Sequence, residues 1–283
     1  MVLNEEMKPC ADELPRVSVI IPAYQAEKSL RRCLASVCAQ QGAELEIWVV
    51  DDGSRDGTWA VLQELAAAGP RIHGIHQENQ GVSAARNAAL DRCTGDFVRF
   101  VDADDELPED AIAPLAQRML RDQSDLLIGG FIEKVAMIQH RRNLANRGDT
   151  LDKNDYLTFW AKNANSFFCG VLWNKLFRRD LIERQQLRFE SGLTYGEDFL
   201  FVCRYLQGAQ RISFVQEAVY HYIRNPSSMT YRQVADSVLH PVRNLKIKGR
   251  LYRGLCELFR SHNAYEQHRF QLWLYWLRLT LTE

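Results

Sequence analysis

No run of apolar residues in this 283-residue chain approaches the roughly 18 to 20 that a bilayer crossing needs, which excludes a membrane-spanning helix. The polar start MVLNEEMKPC has no apolar core of a secretion signal, so the expected compartment is the cytoplasm. Its seven cysteines (Cys10, Cys33, Cys38, Cys93, Cys169, Cys203, Cys256) are odd in number, scattered and never spaced as CxxC. That pattern argues against a disulfide framework and a zinc site, and leaves reduced, mostly buried thiols. Internal repeats and low-complexity segments are also missing. What is present is 46% hydrophobic and 25% charged residues, enough core for one large domain or one domain with an appendage.

The net charge of −1 hides an asymmetry. Residues 1–223 carry 25 Lys/Arg against 32 Asp/Glu, whereas residues 224–283 carry 10 against 4. A basic tail of this kind is suited to meet something anionic or to sit against the acidic body.

Strand and helix patterns alternate through the first hundred residues. RVSVII (16–21), 45–50, 72–76 and 97–101 read as strands, and 27–40, 58–67 and 82–92 as helices. Near-continuous apolar runs such as VSVII and IWVV fit strands covered on both faces, so the expected class is α/β with a parallel sheet. Further on, the pattern predicts a helix over 109–121, a strand over 125–129, a mobile polar loop over 140–152 and a strand over 218–223.

Open sheets of this kind bind ligands beyond the carboxyl ends of their strands. Pro22-Ala23-Tyr24 follows the first strand, Asp51-Asp52-Gly53-Ser54 the second, and Asp102-Ala103-Asp104-Asp105 the fourth. Asp102 and Asp104 could share a hard divalent cation with diphosphate oxygens; they also precede Pro108 and a helix, where acids are ordinary. Asp51 or Asp52 could accept from a base or ribose, or serve as turn residues. Tyr24 could cover a base face, and Arg86, in GVSAARN, could reach a phosphate or lie on a helix surface. The first strand runs into PAYQAE rather than G-x-G-x-x-G, which counts against a dinucleotide oxidoreductase. Nucleic-acid binding would explain the basic tail but not the acidic rim.

Taken in order, PAYQAE, VVDDGSRDGT, GVSAARNAAL and FVDADD resemble glycosyltransferase family 2, whose catalytic domain has the GT-A fold. The resemblance implies Pro22, Ala23, Tyr24, Glu27, Asp51 or Asp52, Arg86, Asp102 and Ala103 as nucleotide contacts. It implies Asp102 and Asp104 as ligands of Mn2+ or Mg2+. Gln25 departs from the family, which usually has Asn there. LWNKLFRRDLI followed by F-x-x-G-x-x-x-G-E-D looks like the capsule and lipopolysaccharide branches. By that likeness Asp198 is the catalytic base, with Glu197 its neighbour or substitute, and Trp173, Asn174 and Lys175 shape an acceptor or sugar pocket. HYIRNPSS resembles a loop over the diphosphate, with Arg224 and Ser228 as contacts and His221 as a further metal ligand. The implied activity is inverting transfer from a nucleotide sugar, a UDP-sugar by preference, to an acceptor hydroxyl in bacterial surface-glycan synthesis. A non-catalytic nucleotide-sugar binder is the alternative.

These readings divide the chain into a tail (1–15), a GT-A domain (16–230, with a nucleotide-binding half over 16–105 and an acceptor half over 106–230) and a helical extension (231–283). From Val238 to Phe259, Val238, Val242, Leu245, Tyr252, Leu255 and Phe259 share a helical face beside Arg243, Lys246, Arg250 and Arg253. Together with QLWLYWLRLTL, this suggests either docking on the inner face of an anionic membrane, where a glycan or lipid-linked acceptor is presented, or packing on the catalytic domain.

Overall fold

The computed structural model describes residues 14–135, 137–143, 149–163, 167–224 and 241–281. The first half is a run of β-α steps: β1 (Arg16–Ala23), α1 (Leu30–Cys38), β2 (Glu44–Asp52), α2 (Thr58–Ala68), β3 (Ile72–Gln77), α3 (Val82–Leu90) and β4 (Phe97–Phe100). The second half is mixed: α4 (Ala113–Asp122), β5 (Leu126–Val135), β6 (Ile138–Arg142), β7 (Thr150–Asp152), α5 (Lys153–Lys162), α6 (Phe167–Gly170), β8 (Lys175–Arg178), α7 (Arg179–Arg184), α8 (Glu197–Gly208) and β9 (Arg211–Ile223). Two helices, α9 (Pro241–Ser261) and α10 (Tyr265–Leu281), follow.

The nine strands among the described residues join one sheet in the order β3-β2-β1-β4-β8-β5-β9-β7, with β6 added on β5. The four strands of the first half pair in parallel, as their apolar runs predict, and β8 enters antiparallel between β4 and β5. Side chains alternate across the sheet with period two. Ile20, Val50, Val98 and Phe100 enter one core with α3, while Val17, Val19, Ile21, Ile47 and Val49 enter the other with α1. In α1 the buried positions Leu30, Cys33, Leu34 and Val37 follow the i, i+3, i+4, i+7 stripe of an amphipathic helix.

Several sequence expectations need correcting. β1 continues through Ala23 and β2 through Asp52, so Pro22-Ala23 and the acidic pair lie in the strands rather than after them. The polar stretch 140–152 contains the end of β6 and all of β7, because β5 and β9 offer pairing partners that no local pattern reveals. β5 and β9 are both longer than their apolar cores, and α4 begins at Ala113.

α9 packs on α8 and α10, burying Ile247, Leu251, Leu255, Leu258 and Phe259. Leu255, Leu258 and Phe259 belong to the same core as β1 and β4. Half of the expected apolar face is thus consumed by packing, while Val242 and Leu245 stay exposed and Val238 lies outside the described residues. No helix among the described residues is long and apolar enough to cross a membrane.

Candidate active site

The loops after β1 and β2 are stitched into one rim. The Gln25 amide donates to Ser54 Oγ (2.9 Å), the Ala26 amide to Thr58 Oγ1 (2.8 Å) and the Gly57 amide to Glu27 Oε2 (3.1 Å). This fixes Pro22, Ala23, Tyr24 and Glu27 beside the β2 end, with the Tyr24 ring about half exposed. Gln25 takes the left-handed conformation (φ +54°). Asn tolerates that region better, since its short amide bonds locally.

The acids of β2 face inward. Asp51 is fully buried, with Oδ2 2.7 Å from His76 Nδ1 and Oδ1 accepting the Ser54 amide at 3.2 Å. Asp52 Oδ1 accepts from Gln77 Nε2 (2.7 Å) and the Gln80 amide (2.9 Å), and its Oδ2 from the Gly81 amide (2.8 Å). Asp52 therefore holds the turn that opens α3. That turn aims Arg86, one helical turn on, across the end of the sheet.

Arg86 is buried and gathers carboxylates from two distant parts of the chain. Its Nη1 donates to Asp198 Oδ1 (2.6 Å) and Glu197 Oε1 (3.1 Å), and its Nη2 to Asp102 Oδ1 (3.3 Å), while the guanidinium lies 5.3 Å from the centroid of the Phe189 ring. Glu197 and Asp198 open α8 after the left-handed Gly196, but neither caps the helix. Their side chains turn to Arg86 instead. The three carboxylates keep the arginine firmly charged, outweighing its burial.

The turn after β4 is itself anchored. Asp105 is buried; Tyr220 Oη donates to its Oδ2 (2.8 Å), and the Ile223 amide donates to its Oδ1 (2.7 Å). The Asp102 amide in turn donates to Tyr220 Oη (3.0 Å). Tyr220 falls where the β5–β9 register shifts, and such irregularities re-aim side chains. Arg99, wholly buried in β4, spans the same irregularity by donating to the carbonyls of Val219 (2.6 Å) and Lys175 (3.3 Å). Arg32 donates to the Asp104 carbonyl at 2.7 Å. Sequence reading missed Asp105, Tyr220, Arg99, Phe189 and Arg32. Asp105, the fourth letter of DADD, and Phe189, the first of F-x-x-G-x-x-x-G-E-D, lay within motifs; the other three carried no local signal.

This basin is short of positive charge. Burial, then the neighbouring Asp102, raises Asp104 to about 6. Asp198 is pushed well above the usual carboxylate range by burial, with Glu197 and Asp102 adding to it and Arg86 opposing. Asp102 is also raised, by burial against the pull of Arg86. Among the described residues, no group of three His, Cys, Asp or Glu side chains converges as a ready metal site. Two carboxylates, Asp102 and Asp104, in a basin of excess negative charge nevertheless fit a hard divalent ion that draws its other ligands from water and phosphate oxygens.

The remaining sequence candidates take other roles. Trp173 is buried and stacked on Tyr220 and Tyr222 (centroids 4.6 and 5.5 Å). Asn174 and Lys175 are wholly buried, and Lys175 Nζ donates to the carbonyls of Phe168 (2.6 Å) and Val171 (2.5 Å) and to Asn174 Oδ1 (2.9 Å). Burial lowers Lys175 to about 7, while three acceptors favour its protonated form. Trp173–Lys175 thus supports the turn into β8 rather than lining an open pocket. The His221 backbone pairs with Glu106, next to the acidic turn, and burial lowers its ring pKa. Arg224 Nε pairs with Glu133 (2.7 Å). Ser228 lies outside the described residues.

Comparison with known proteins agrees with this architecture. The family model described as "Glycosyl transferase family 2" matches residues 18–185. The uncharacterized glycosyltransferase EpsJ of Bacillus subtilis (strain 168) is 31% identical over 253 residues, covering 86% of this chain and 72% of that protein. The putative glycosyltransferase EpsH of the same organism is 32% identical over 233 residues, covering 78% of this chain and 64% of that one. Among solved structures, S. aureus TarS 1-349 in complex with UDP-GlcNAc superposes with a TM-score of 0.66 at 24% identity, over 88% of this chain and 73% of that one. The mannosyltransferase PcManGT from Pyrobaculum calidifontis, in complex with GDP-Man and Mn2+, gives 0.60 at 18% identity, over 92% and 73%. These structural likenesses establish the shared fold.

Proposed function

Since the chain belongs to glycosyltransferase family 2, we propose that it is an inverting, metal-dependent enzyme that moves a sugar from a UDP-sugar to an acceptor hydroxyl. The observation that carries this reading is Arg86, which brings Asp102 of the β4 turn and Glu197 and Asp198 of α8 around one guanidinium. A leaving diphosphate and an attacking hydroxyl must meet at one anomeric carbon, and the same cluster supplies a group for each.

On this reading Asp198 takes the proton of the acceptor hydroxyl as it attacks. Burial strengthens the carboxylate as a base, and Arg86 holds its orientation. Tyr24 covers the base face, and the stitched loops after β1 and β2 position the nucleoside, so that binding far from the reacting bond orients the bond itself. Asp102 and Asp104 would hold Mn2+ or Mg2+; bound there, the ion would offset the charge developing on the nucleoside diphosphate. The UDP preference draws support from the TarS complex, and the PcManGT complex makes a GDP-sugar the competing donor. Val242 and Leu245, exposed beside Arg243 and Lys246, support peripheral contact with an anionic membrane that presents a glycan or lipid-linked acceptor.

The test is nucleoside diphosphate release from a panel of UDP- and GDP-sugars with Mn2+, with and without EDTA. Release from one UDP-sugar that EDTA abolishes supports the reading. UDP binding without release from any donor would point to the non-catalytic binder, and release that survives EDTA would refute the metal requirement.

A further inference from the structure

The first turns of α9 face the segment that leads into α8, and a cavity of about 160 Å3 lies between them. Arg243, Lys246, Ile247 and Arg250 line one wall and Gly192, Leu193 and Thr194 the other. The two walls are held in register. Gly196, at φ +82°, lets Leu251 approach so closely that an added Cβ would meet its methyl group at 2.7 Å, and Tyr195 Oη donates to Asn244. Thr194 precedes Glu197 by three residues, so their Cα atoms lie within about 11 Å of each other. The cavity therefore lies near the start of α8, which carries Glu197 and Asp198.

Its charge is opposite to that of the catalytic basin. Three cations line it, and one of them, Arg250, pairs with Glu190 (2.7 Å), which also holds Arg204. Lys246 has no carboxylate partner among the described residues. The pocket is half open and its walls are mostly apolar; its volume falls below the roughly 300–1,000 Å3 of whole small-molecule sites and leaves room for a compact anion between the basic side chains. The exposed Val242 and Leu245 adjoin these cations along α9. We infer that the cavity between α9 and the Gly192–Thr194 segment binds the phosphate or diphosphate of a phosphate-bearing acceptor. The word acceptor rests on the glycosyltransferase reading, which gives the donor's diphosphate to the Asp102–Asp104 side; anion binding here does not.

The test uses the full chain and inorganic pyrophosphate, titrated calorimetrically in EDTA so that no metal bridges the anion to the acidic basin. Wild type should bind saturably, and Lys246→Glu and Arg243→Glu should each weaken binding at least tenfold while leaving UDP affinity with Mn2+ unchanged. No saturable binding by wild type, or equal binding by both variants, overturns the inference. Co-sedimentation with phosphatidylglycerol vesicles separates the two sources of phosphate. If pyrophosphate displaces the protein from vesicles, the cavity takes a bilayer headgroup; if vesicle binding is indifferent to pyrophosphate, a free or acceptor-borne diphosphate is its ligand. Pyrophosphate binding by a chain that releases no UDP from any donor would retain the site and reject the transferase reading, so the two fail separately.

Discussion

Arg86→Ala removes the cation that holds three carboxylates together, and the structure sets both the size and the pH dependence of the loss. Deleting one partner of a buried ion pair typically costs about 3–5 kcal/mol. Asp102, Glu197 and Asp198 keep 33%, 11% and 23% of their side-chain exposure, so solvent can rescue them in part and the lower end, about 3 kcal/mol, is expected. For a chain of this length that is a fall in Tm of about 6–12 °C. Without the guanidinium, the folded-state pKa values of Asp102 and Asp198, already raised by burial, rise further. A carboxyl whose folded pKa lies above its unfolded value of about 4 withdraws stability fully above the folded value, and the loss disappears as pH falls below the unfolded one. The variant's deficit in a thermal melt should therefore be largest near about pH 8 and clearly smaller near about pH 5.5. Arg86→Lys, which keeps the charge but cannot bridge three partners, should fall between the two. Equal deficits for Arg86→Ala at both pH values would refute this account of the cluster.

Three further outcomes are expected. Gln25→Asn relieves a left-handed residue and should stabilise the protein by up to about 1 kcal/mol in urea melts; a loss would show that the Gln25 side chain contributes more than its strain costs. Tyr220→Phe strips the acceptor from the Asp102 amide and the donor from Asp105, so a stability cost of about 1–3 kcal/mol and a raised donor KM are expected, whereas an unchanged KM would separate Tyr220 from the acidic turn. Because burial raises Asp104 to about 6, protons should compete with Mn2+ below that pH; apparent Mn2+ affinity in the presence of UDP, measured by calorimetry, should fall as pH drops from about 7 to 5, and fall less steeply in Asp104→Asn.

The α/β class and the first half of the sheet were legible because buried parallel strands write themselves as apolar runs, as in VSVII and IWVV. The strands themselves were legible for the same reason, although β1 and β2 run two residues beyond their apolar runs, and the structure brings DADD, Arg86 and the Glu197-Asp198 pair together. What they do there was less legible. Asp51 and Asp52 look like a rim turn in sequence, yet they finish a strand, because His76 and the turn at Gln80-Gly81 satisfy them from far along the chain. Lys175 reads as a pocket residue, but its partners are carbonyls of its own turn. Tyr220 left no trace, since its role depends on a register shift between β5 and β9. Likewise β6 and β7 are polar strands whose existence is decided by their neighbours, a tertiary effect that overrides local pattern.

The most direct test of the central claim is to measure kcat and UDP affinity together for Asp198→Asn, with whichever donor the wild-type enzyme uses. If Asp198 is the base, kcat should fall by about 10²–10⁴-fold while UDP binds with Mn2+ as it does to wild type. A kcat within a few-fold of wild type, or a loss of UDP affinity that matches the loss of rate, would contradict it.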